Sequence, residues 1–137
     1  NNISNDIPIL FPVHPRTLKN IEKFKLELSK SIKSIIPLPY IEFLGLLSAA
    51  KIVITDSGGI QEESTMLNIP CVTLRDNTER PITIEEGTNI LAGTNTENIL
   101  KEVKKIISGD VKSGVTPDLW DGKSSNRISK IISEYIK

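Results

Sequence analysis

Short apolar runs alternate with stretches of helical periodicity along the chain. The apolar runs predict strands at residues 7–13, 34–38, 51–55, 71–74 and 89–92. Apolar residues at helical spacing predict helices at 17–33, 40–50, 58–67, 96–108 and 124–137, with a short turn or helix at 81–86. The run 51–55 shows no polar alternation, as expected for a strand covered on both faces. This order predicts an α/β fold in which helices flank a parallel, Rossmann-like sheet.

Several predicted helix ends carry their own sequence signals. Asn68 and Pro70 end the helix at 58–67, because proline cannot continue a helix and asparagine tolerates a left-handed end. Asn95 or Thr96 caps the helix at 96–108, and Gly109 ends it. The stretch 110–123 contains glycine and proline and is predicted to be a loop.

Length and composition limit the classes of function. The chain of 137 residues has the size of one domain, and we find no repeat and no second domain in it. Its 17 basic and 17 acidic residues cancel, so we expect neither nucleic acid nor an anionic membrane as a partner. Cys71 is the only cysteine, which excludes an internal disulfide and favours a reducing compartment. We expect a cytoplasmic protein without a signal peptide or membrane span.

The strand at 51–55 leads directly into a glycine pair that begins a helix. Helix starts attract anions through free backbone N–H groups and a partial positive charge. Gly58 and Gly59 lack Cβ atoms and would let a phosphate approach the backbone, and Ser57 adds a hydroxyl. The alternative is an ordinary tight turn with Ser57 or Asp56 as the N-cap. The pattern matches neither a P-loop nor G-x-G-x-x-G.

Glu63 lies one helical turn beyond Gly59 and on the same face. Its carboxylate could accept hydrogen bonds from both hydroxyls of a ribose, although an exposed helical glutamate is usually only a solvated residue. Glu62 points about 100° away and is expected to be solvated.

Several motifs together closely resemble the non-hydrolysing UDP-N-acetylglucosamine 2-epimerases, in order and spacing over nearly the whole chain. They are Phe11-Pro12-Val13-His14-Pro15-Arg16-Thr17, Pro37-Leu38-Pro39-Tyr40, Thr55-Asp56-Ser57-Gly58-Gly59-Ile60-Gln61-Glu62-Glu63, Leu74-Arg75-Asp76-Asn77-Thr78-Glu79-Arg80-Pro81, Glu86-Gly87-Thr88 with Gly93, and Trp120-Asp121-Gly122-Lys123.

The resemblance implies one half of a GT-B architecture, in which two Rossmann-like domains face a cleft. Residues 1–137 are similar to the C-terminal, UDP-binding domain alone. The family inverts C2 of UDP-N-acetylglucosamine to give UDP-N-acetylmannosamine: UDP is eliminated to leave a 2-acetamidoglucal and then returns. The implied ligands are UDP and UDP-N-acetylglucosamine, and neither a metal nor another cofactor is implied.

The resemblance also implies roles for individual residues of the second half of the chain. Ser57, Gly58 and Gly59 would hold the pyrophosphate, and Glu63 would bind the ribose. Arg80 would contact the phosphates, which suits a guanidinium that can fork two donors. Without the resemblance, Arg80 would more simply form a loop ion pair.

Three residues of the first half match further positions of the family. Phe43 corresponds to an aromatic packed against uracil, and backbone groups near Leu38 to the segment that reads the base edge. His14, the only histidine, corresponds to a residue tied to a second, regulatory substrate molecule. The alternatives are a core aromatic for Phe43 and a hydrogen-bonded strand-end histidine for His14. Asp56 and Glu79 are expected to hold their loops in place.

The motifs supply no catalytic residue in this chain. The acid and base that move protons in the family belong to the N-terminal domain, and a Thr-x-His-Arg motif expected before residue 7 is missing. The chain also lacks an initial Met, so we expect an inactive fragment of a longer protein that acts as a homodimer. Alternatives are a hydrolysing epimerase, a stand-alone UDP-sugar binding module, a GT-B glycosyltransferase or a purely structural domain.

Overall fold

The structure is a computed structural model that describes residues 1–136. The chain forms two compact units, residues 1–49 and the residues from Ala50 onward. Strands and helices alternate in both units, and every strand pair is parallel. The structure therefore confirms the predicted class, parallel sheets flanked by helices, with the strands divided between a two-stranded and a three-stranded sheet.

The first unit contains two strands and two helices. A 3-10 turn at Ile3–Asn5 precedes β1 (Ile9–Pro12), α1 (Pro15–Lys23), β2 (Ile32–Ile35) and α2 (Tyr40–Ser48). β1 and β2 pair in parallel, with Ile9 opposite Ile32.

The predicted helix at 17–33 is wrong beyond Lys23. Phe24 is the C-cap of α1, and Lys25 adopts a left-handed conformation with φ of 50°. The Leu26 N–H then donates to the carbonyl of Ile21 at 2.9 Å, which closes the helix end. β2 accordingly begins two residues before the predicted strand and ends at Ile35.

The second unit contains the other three strands and four helices. In chain order they are β3 (Val53–Thr55), α3 (Gly58–Met66), β4 (Cys71–Thr73), α4 (Pro81–Glu85), β5 (Asn89–Leu91), α5 (Thr96–Ile107) and α6 (Ser124–Tyr135). The strand order is β3-β4-β5, and Thr55, Thr73 and Leu91 lie in register. Because all three strands run in one direction, their carboxyl ends share one edge of the sheet.

The centre of the second unit is formed by β4 and α5. All three residues of β4 are fully buried, and α5 contributes Val103 and Ile106 to the core, as the helical spacing predicts. Burial raises the pKa of the Cys71 thiol. Asn95 caps α5 by accepting hydrogen bonds from two N–H groups of its first turn.

The predicted loop 110–123 is tied to the end of α4. The Lys112 ammonium donates to the carbonyls of Ile84 and Asn89, the latter at 3.2 Å, and burial lowers the pKa of this lysine. The Val115 N–H donates to the carbonyl of Glu86 at 2.8 Å. The stretch is therefore irregular but fixed.

The longest helices, α5 and α6, have 12 residues each. Among residues 1–136, none combines the length and the apolar character that crossing a membrane requires.

Candidate functional site

The predicted phosphate-binding turn lies at the carboxyl edge of the three-stranded sheet. Ser57 follows β3, has extended backbone angles and is the N-cap of α3. Its N–H donates to the Thr55 hydroxyl at 3.1 Å. Its own hydroxyl makes no capping hydrogen bond, so the side chain remains available to a ligand. Asp56 is exposed, and Ser57 rather than Asp56 occupies the N-cap position.

The first turn of α3 presents free backbone donors. The Gln61 N–H donates to the Ser57 carbonyl at 3.3 Å and is the first helical bond. The N–H groups of Gly58, Gly59 and Ile60 precede that bond and have no intrahelical acceptor. Together with the positive end of the helix dipole, they form a local anion-attracting surface on a chain without net charge.

The two glycines of the turn have different surroundings. A Cβ on Gly58 would lie 3.1 Å from Glu79 Oε1 and 4.0 Å from Arg80 Cγ. A Cβ on Gly59 would meet only the Ser57 hydroxyl, at 4.0 Å. A Cβ on Gly58 would therefore only displace the end of the flexible Glu79 side chain slightly, whereas Gly59 is open toward its surroundings, where a ligand could approach the backbone.

The paired glutamates of α3 differ in their partners. Glu63 is half-buried, and its carboxylate makes no hydrogen bond or ion pair within residues 1–136. It is thus a free acceptor one turn from the glycines. Glu62, which the sequence predicts to be solvated, lies 2.8 Å from Arg80 Nε through its Oε1. The Glu62 side chain is still 40% exposed, so the ion pair with the loop after β4 is an addition to the expected solvation.

Arg80 and Glu79 connect that loop to the turn. Arg80 is half-exposed, and besides its ion pair with Glu62 it donates from NH1 to the Glu79 carbonyl at 3.3 Å. Glu79 is paired with Arg75 at 2.9 Å. Its own backbone N–H, and then Arg75, hold the pKa of the Glu79 carboxyl below its usual value. The structure thus gives Glu79 the expected loop-holding contacts and leaves the Arg80 guanidinium partly accessible.

The remaining predicted residues belong to the first unit. His14 is the N-cap of α1, and its Nδ1 accepts the Arg16 N–H at 3.2 Å, which is the contact expected of a hydrogen-bonded histidine at a strand end. Leu38 is half-buried just before α2. Phe43 is half-buried on α2 and donates its N–H to the Pro39 carbonyl at 2.9 Å.

A buried polar cluster beside the turn is absent from the sequence-based predictions. Gln61, Thr73, Thr83 and Asn89 are all fully buried and joined through hydrogen bonds. The sequence offers little signal for it, because polar residues on a helix or near a loop usually face solvent.

Comparisons with known proteins find similar sequences over most of the chain. A sequence profile described as UDP-N-acetylglucosamine 2-epimerase matches residues 1–133. A UDP-N-acetylglucosamine 2-epimerase of Methanococcus maripaludis is 53% identical over 116 residues, which cover 80% of this chain and 32% of that protein. The chain therefore spans about a third of the length of the relatives it matches.

Solved structures give the same relationship. The Methanocaldococcus jannaschii UDP-GlcNAc 2-epimerase in complex with UDP-GlcNAc and UDP is similar with a TM-score of 0.83 and 45% identity, covering 95% of this chain and 36% of that one. The Neisseria meningitidis enzyme bound to UDP-GlcNAc has a TM-score of 0.81 and 26% identity, covering 97% and 38%. The likeness confirms the expected Rossmann-like fold of a GT-B half.

Proposed function

We propose that this chain binds the UDP moiety of UDP-N-acetylglucosamine, because it belongs to the UDP-N-acetylglucosamine 2-epimerase family. The observation that carries the proposal is the turn after β3. There the Ser57 hydroxyl, the first-turn N–H groups of α3 and the Glu63 carboxylate occur together, and none of them has a partner within residues 1–136. Support also comes from the M. jannaschii structure, whose ligands are UDP-GlcNAc and UDP.

In this proposal the diphosphate binds at the start of α3. The N–H groups of Gly58 and Gly59 and the Ser57 hydroxyl donate to phosphate oxygens, as helix starts commonly do. The half-exposed Arg80 guanidinium adds positive charge from the neighbouring loop. The Glu63 carboxylate accepts the ribose hydroxyls. The resemblance alone assigns Leu38 and Phe43 to the uracil and His14 to a regulatory substrate molecule.

The reaction proposed for the whole protein interconverts UDP-N-acetylglucosamine and UDP-N-acetylmannosamine. A base removes the proton from C2 while the C1–oxygen bond breaks, and the electron pair forms the C1–C2 double bond of 2-acetamidoglucal. UDP departs with that oxygen as an anion. UDP then bonds again to C1, and a proton is added to C2 from the opposite face.

The residues of this chain act on the leaving group. Negative charge grows on the diphosphate as the C1–oxygen bond breaks, and donors already oriented at that position stabilise the transition state. The proton transfers need an acid and a base near the sugar. We propose that another domain of a longer protein supplies them, with this chain as the C-terminal UDP-binding domain.

We also propose that the whole protein is a homodimer and acts in the cytoplasm, as the resemblance of the sequence to the family implies. No step in it uses a metal or a redox cofactor.

Calorimetric titration with UDP tests the binding proposal. We expect saturable binding by the intact protein that contains this chain. Ser57→Tyr should abolish it, because the larger side chain fills the space beside the open Gly59. Ser125→Tyr is the matched control, since Ser125 is an exposed serine at the start of α6.

Three results would each reject a part of the proposal. Absence of heat at millimolar UDP with the unmodified protein would favour a purely structural domain. Equal affinity of the Ser57→Tyr variant and the unmodified protein would remove the turn from the site. Turnover of UDP-N-acetylglucosamine by residues 1–137 alone would contradict the assignment of the acid and base to another domain.

A further inference from the structure

The hydroxyl of Thr78 joins the loop after β4, which carries Arg80, to the buried polar cluster. Thr78 Oγ1 donates to Gln61 Oε1 at 2.6 Å and accepts the Arg80 N–H at 3.1 Å. A hydroxyl has one proton to donate and lone pairs to accept. Thr78 uses both capacities, one toward the interior and one toward the backbone of Arg80.

The carbonyl of Arg80 is held in the same way from the other side. It accepts the Thr83 hydroxyl at 2.8 Å and the Thr83 N–H at 3.1 Å. The Thr83 hydroxyl in turn accepts from Asn89 Nδ2 at 3.1 Å. Both backbone polar groups of Arg80 are therefore bonded to threonines, and each threonine is bonded to a fully buried amide side chain.

Gln61 and Asn89 anchor these two threonines. Gln61 Oε1 also accepts from Asn89 Nδ2 at 3.3 Å, so its orientation is fixed by two donors. Asn89 Oδ1 accepts the Thr73 hydroxyl at 2.7 Å. The hydrogen bonds thus run from β4 and β5 through α3 to Arg80 without interruption.

The buried polar cluster is not fully satisfied by hydrogen bonds and is therefore not explained by stability alone. Gln61 Nε2 is buried and has no hydrogen-bond partner within residues 1–136. An incompletely satisfied amide in the interior destabilises a fold relative to an apolar side chain of similar shape. The carbonyl end of Gln61, in contrast, has the geometry to orient Thr78.

These hydrogen bonds fix the backbone from which the Arg80 side chain extends. Arg80 leads into α4, and its guanidinium lies beside α3, 2.8 Å from Glu62. With the backbone held on both sides, only the side-chain torsions remain to be ordered when a ligand binds. Ordering fewer torsions improves affinity, because less conformational entropy is lost on binding.

We propose that Thr78 is a positioning residue for Arg80: bonded to Gln61, it fixes the Arg80 backbone so that the guanidinium meets a nucleoside diphosphate at the start of α3. This inference rests on the proposed function, since it takes Arg80 as a phosphate contact. Thr78 itself does not touch the ligand in this arrangement.

The test compares UDP affinities of Thr78 variants in the intact protein that contains this chain. Thr78→Val keeps the shape and removes both hydrogen bonds of the hydroxyl, and it should weaken UDP binding by about tenfold because Arg80 is no longer held in place. Thr78→Ser keeps the hydroxyl and should bind within about twofold of the unmodified protein, because both bonds remain. Thr78→Ala repeats the removal with a smaller side chain, should the valine prevent folding.

The matched control is Thr88→Val. Thr88 is a fully buried threonine of the same unit, and its hydroxyl donates to the Ile69 carbonyl at 2.6 Å, away from Arg80. This variant should lose stability in thermal unfolding with unchanged UDP affinity. A merely structural role for Thr78 predicts the same behaviour for Thr78→Val.

A double-mutant cycle with Arg80→Ala separates positioning from an independent effect. If Thr78 acts through Arg80, Thr78→Val causes no further loss of affinity in the Arg80→Ala background. An equal loss in both backgrounds, or unchanged affinity of Thr78→Val alone, overturns the inference. Unchanged affinity of both Arg80→Ala and Ser57→Tyr rejects the proposed function itself, and is distinguishable because those variants do not involve Thr78.

Discussion

Arg80 Nε and Glu62 Oε1 lie 2.8 Å apart, in an ion pair that joins the loop after β4 to the second turn of α3. Both side chains are 40% exposed, so the contact is worth little as a source of stability. The ion pair matters more for binding, because it places the negative charge of Glu62 beside the guanidinium that we assign to the phosphates. A bound diphosphate has to share Arg80 with this carboxylate.

We therefore expect Glu62→Gln to tighten UDP binding. The substitution keeps the side-chain shape and removes the competing charge, and an exposed pair of this kind corresponds to about a two- to fivefold change in affinity. Calorimetric titration at low and high salt measures it, and the difference between the variants should shrink at high salt. Weaker binding by Glu62→Gln would instead mean that Glu62 orients Arg80 for the ligand.

Glu63→Gln addresses the neighbouring carboxylate, which has no partner within residues 1–136. We expect it to weaken UDP by about tenfold, since hydrogen bonds to a charged acceptor are stronger than those to an amide. A 2′,3′-dideoxy analogue of UDP should bind both forms with similar affinity, because it lacks the two hydroxyls. Equal losses for UDP and the analogue would exclude the ribose contact.

The strand–turn–helix element that carries the site follows closely from the sequence. β3 and α3 begin and end within two residues of the predicted bounds, because a β-branched run, a glycine pair and Asn68 each mark a boundary. Asn68 indeed adopts a positive φ of 53° at the end of α3. Local signals and the tertiary fold agree here, so the prediction succeeds.

The first unit shows where local pattern is insufficient. Apolar spacing continues past Lys23, yet Lys25 turns to φ of 50° without a glycine or proline to signal it. α1 contains no buried residue, so its apolar spacing does not correspond to a packed face within the described structure. The sequence also does not predict that Gln61 and Asn89 are buried, because only the tertiary fold supplies their hydrogen-bond partners.

Gly114 is packed too closely against residues 87–88 to accept a side chain without a loss of stability. A Cβ at this position would lie 2.7 Å from the backbone carbonyl carbon of Gly87 and 2.8 Å from the Thr88 N atom. Since backbone atoms cannot move aside easily, we expect Gly114→Ala to lower the free energy of unfolding by about 1–3 kcal/mol. Denaturant unfolding followed by circular dichroism measures the change.

Gly45→Ala is the matched control for that substitution. Gly45 lies inside α2, and a Cβ there would meet nothing within 4 Å. Because alanine favours helix over glycine, this variant should be more stable by about 0.5–1 kcal/mol. Similar effects of the two substitutions would show that the segment around Gly114 is not closely packed on residues 87–88.

The Asp121 carboxylate should report on the start of α6 through its titration. It accepts two hydrogen bonds from Arg127, each at 3.0 Å, and one from the Lys123 N–H at 2.9 Å. Arg127 first, and then that N–H, lower the pKa of Asp121 below its ordinary value of 3.8. Because the folded pKa is the lower one, the stabilising contribution is complete above pH 3.8 and is lost as the pH falls through the folded value.

Carboxyl chemical shifts followed by NMR give the midpoint directly. We expect a midpoint below 3.8 for the unmodified protein and a return toward 3.8 in Arg127→Gln, which removes the bidentate partner but leaves the Lys123 N–H. Hydrogen-exchange protection at the start of α6 should decline over the same acidic range and should be weak at every pH in Asp121→Asn. An Asp121 midpoint at or above 3.8 would mean that the contact with Arg127 is not maintained in solution.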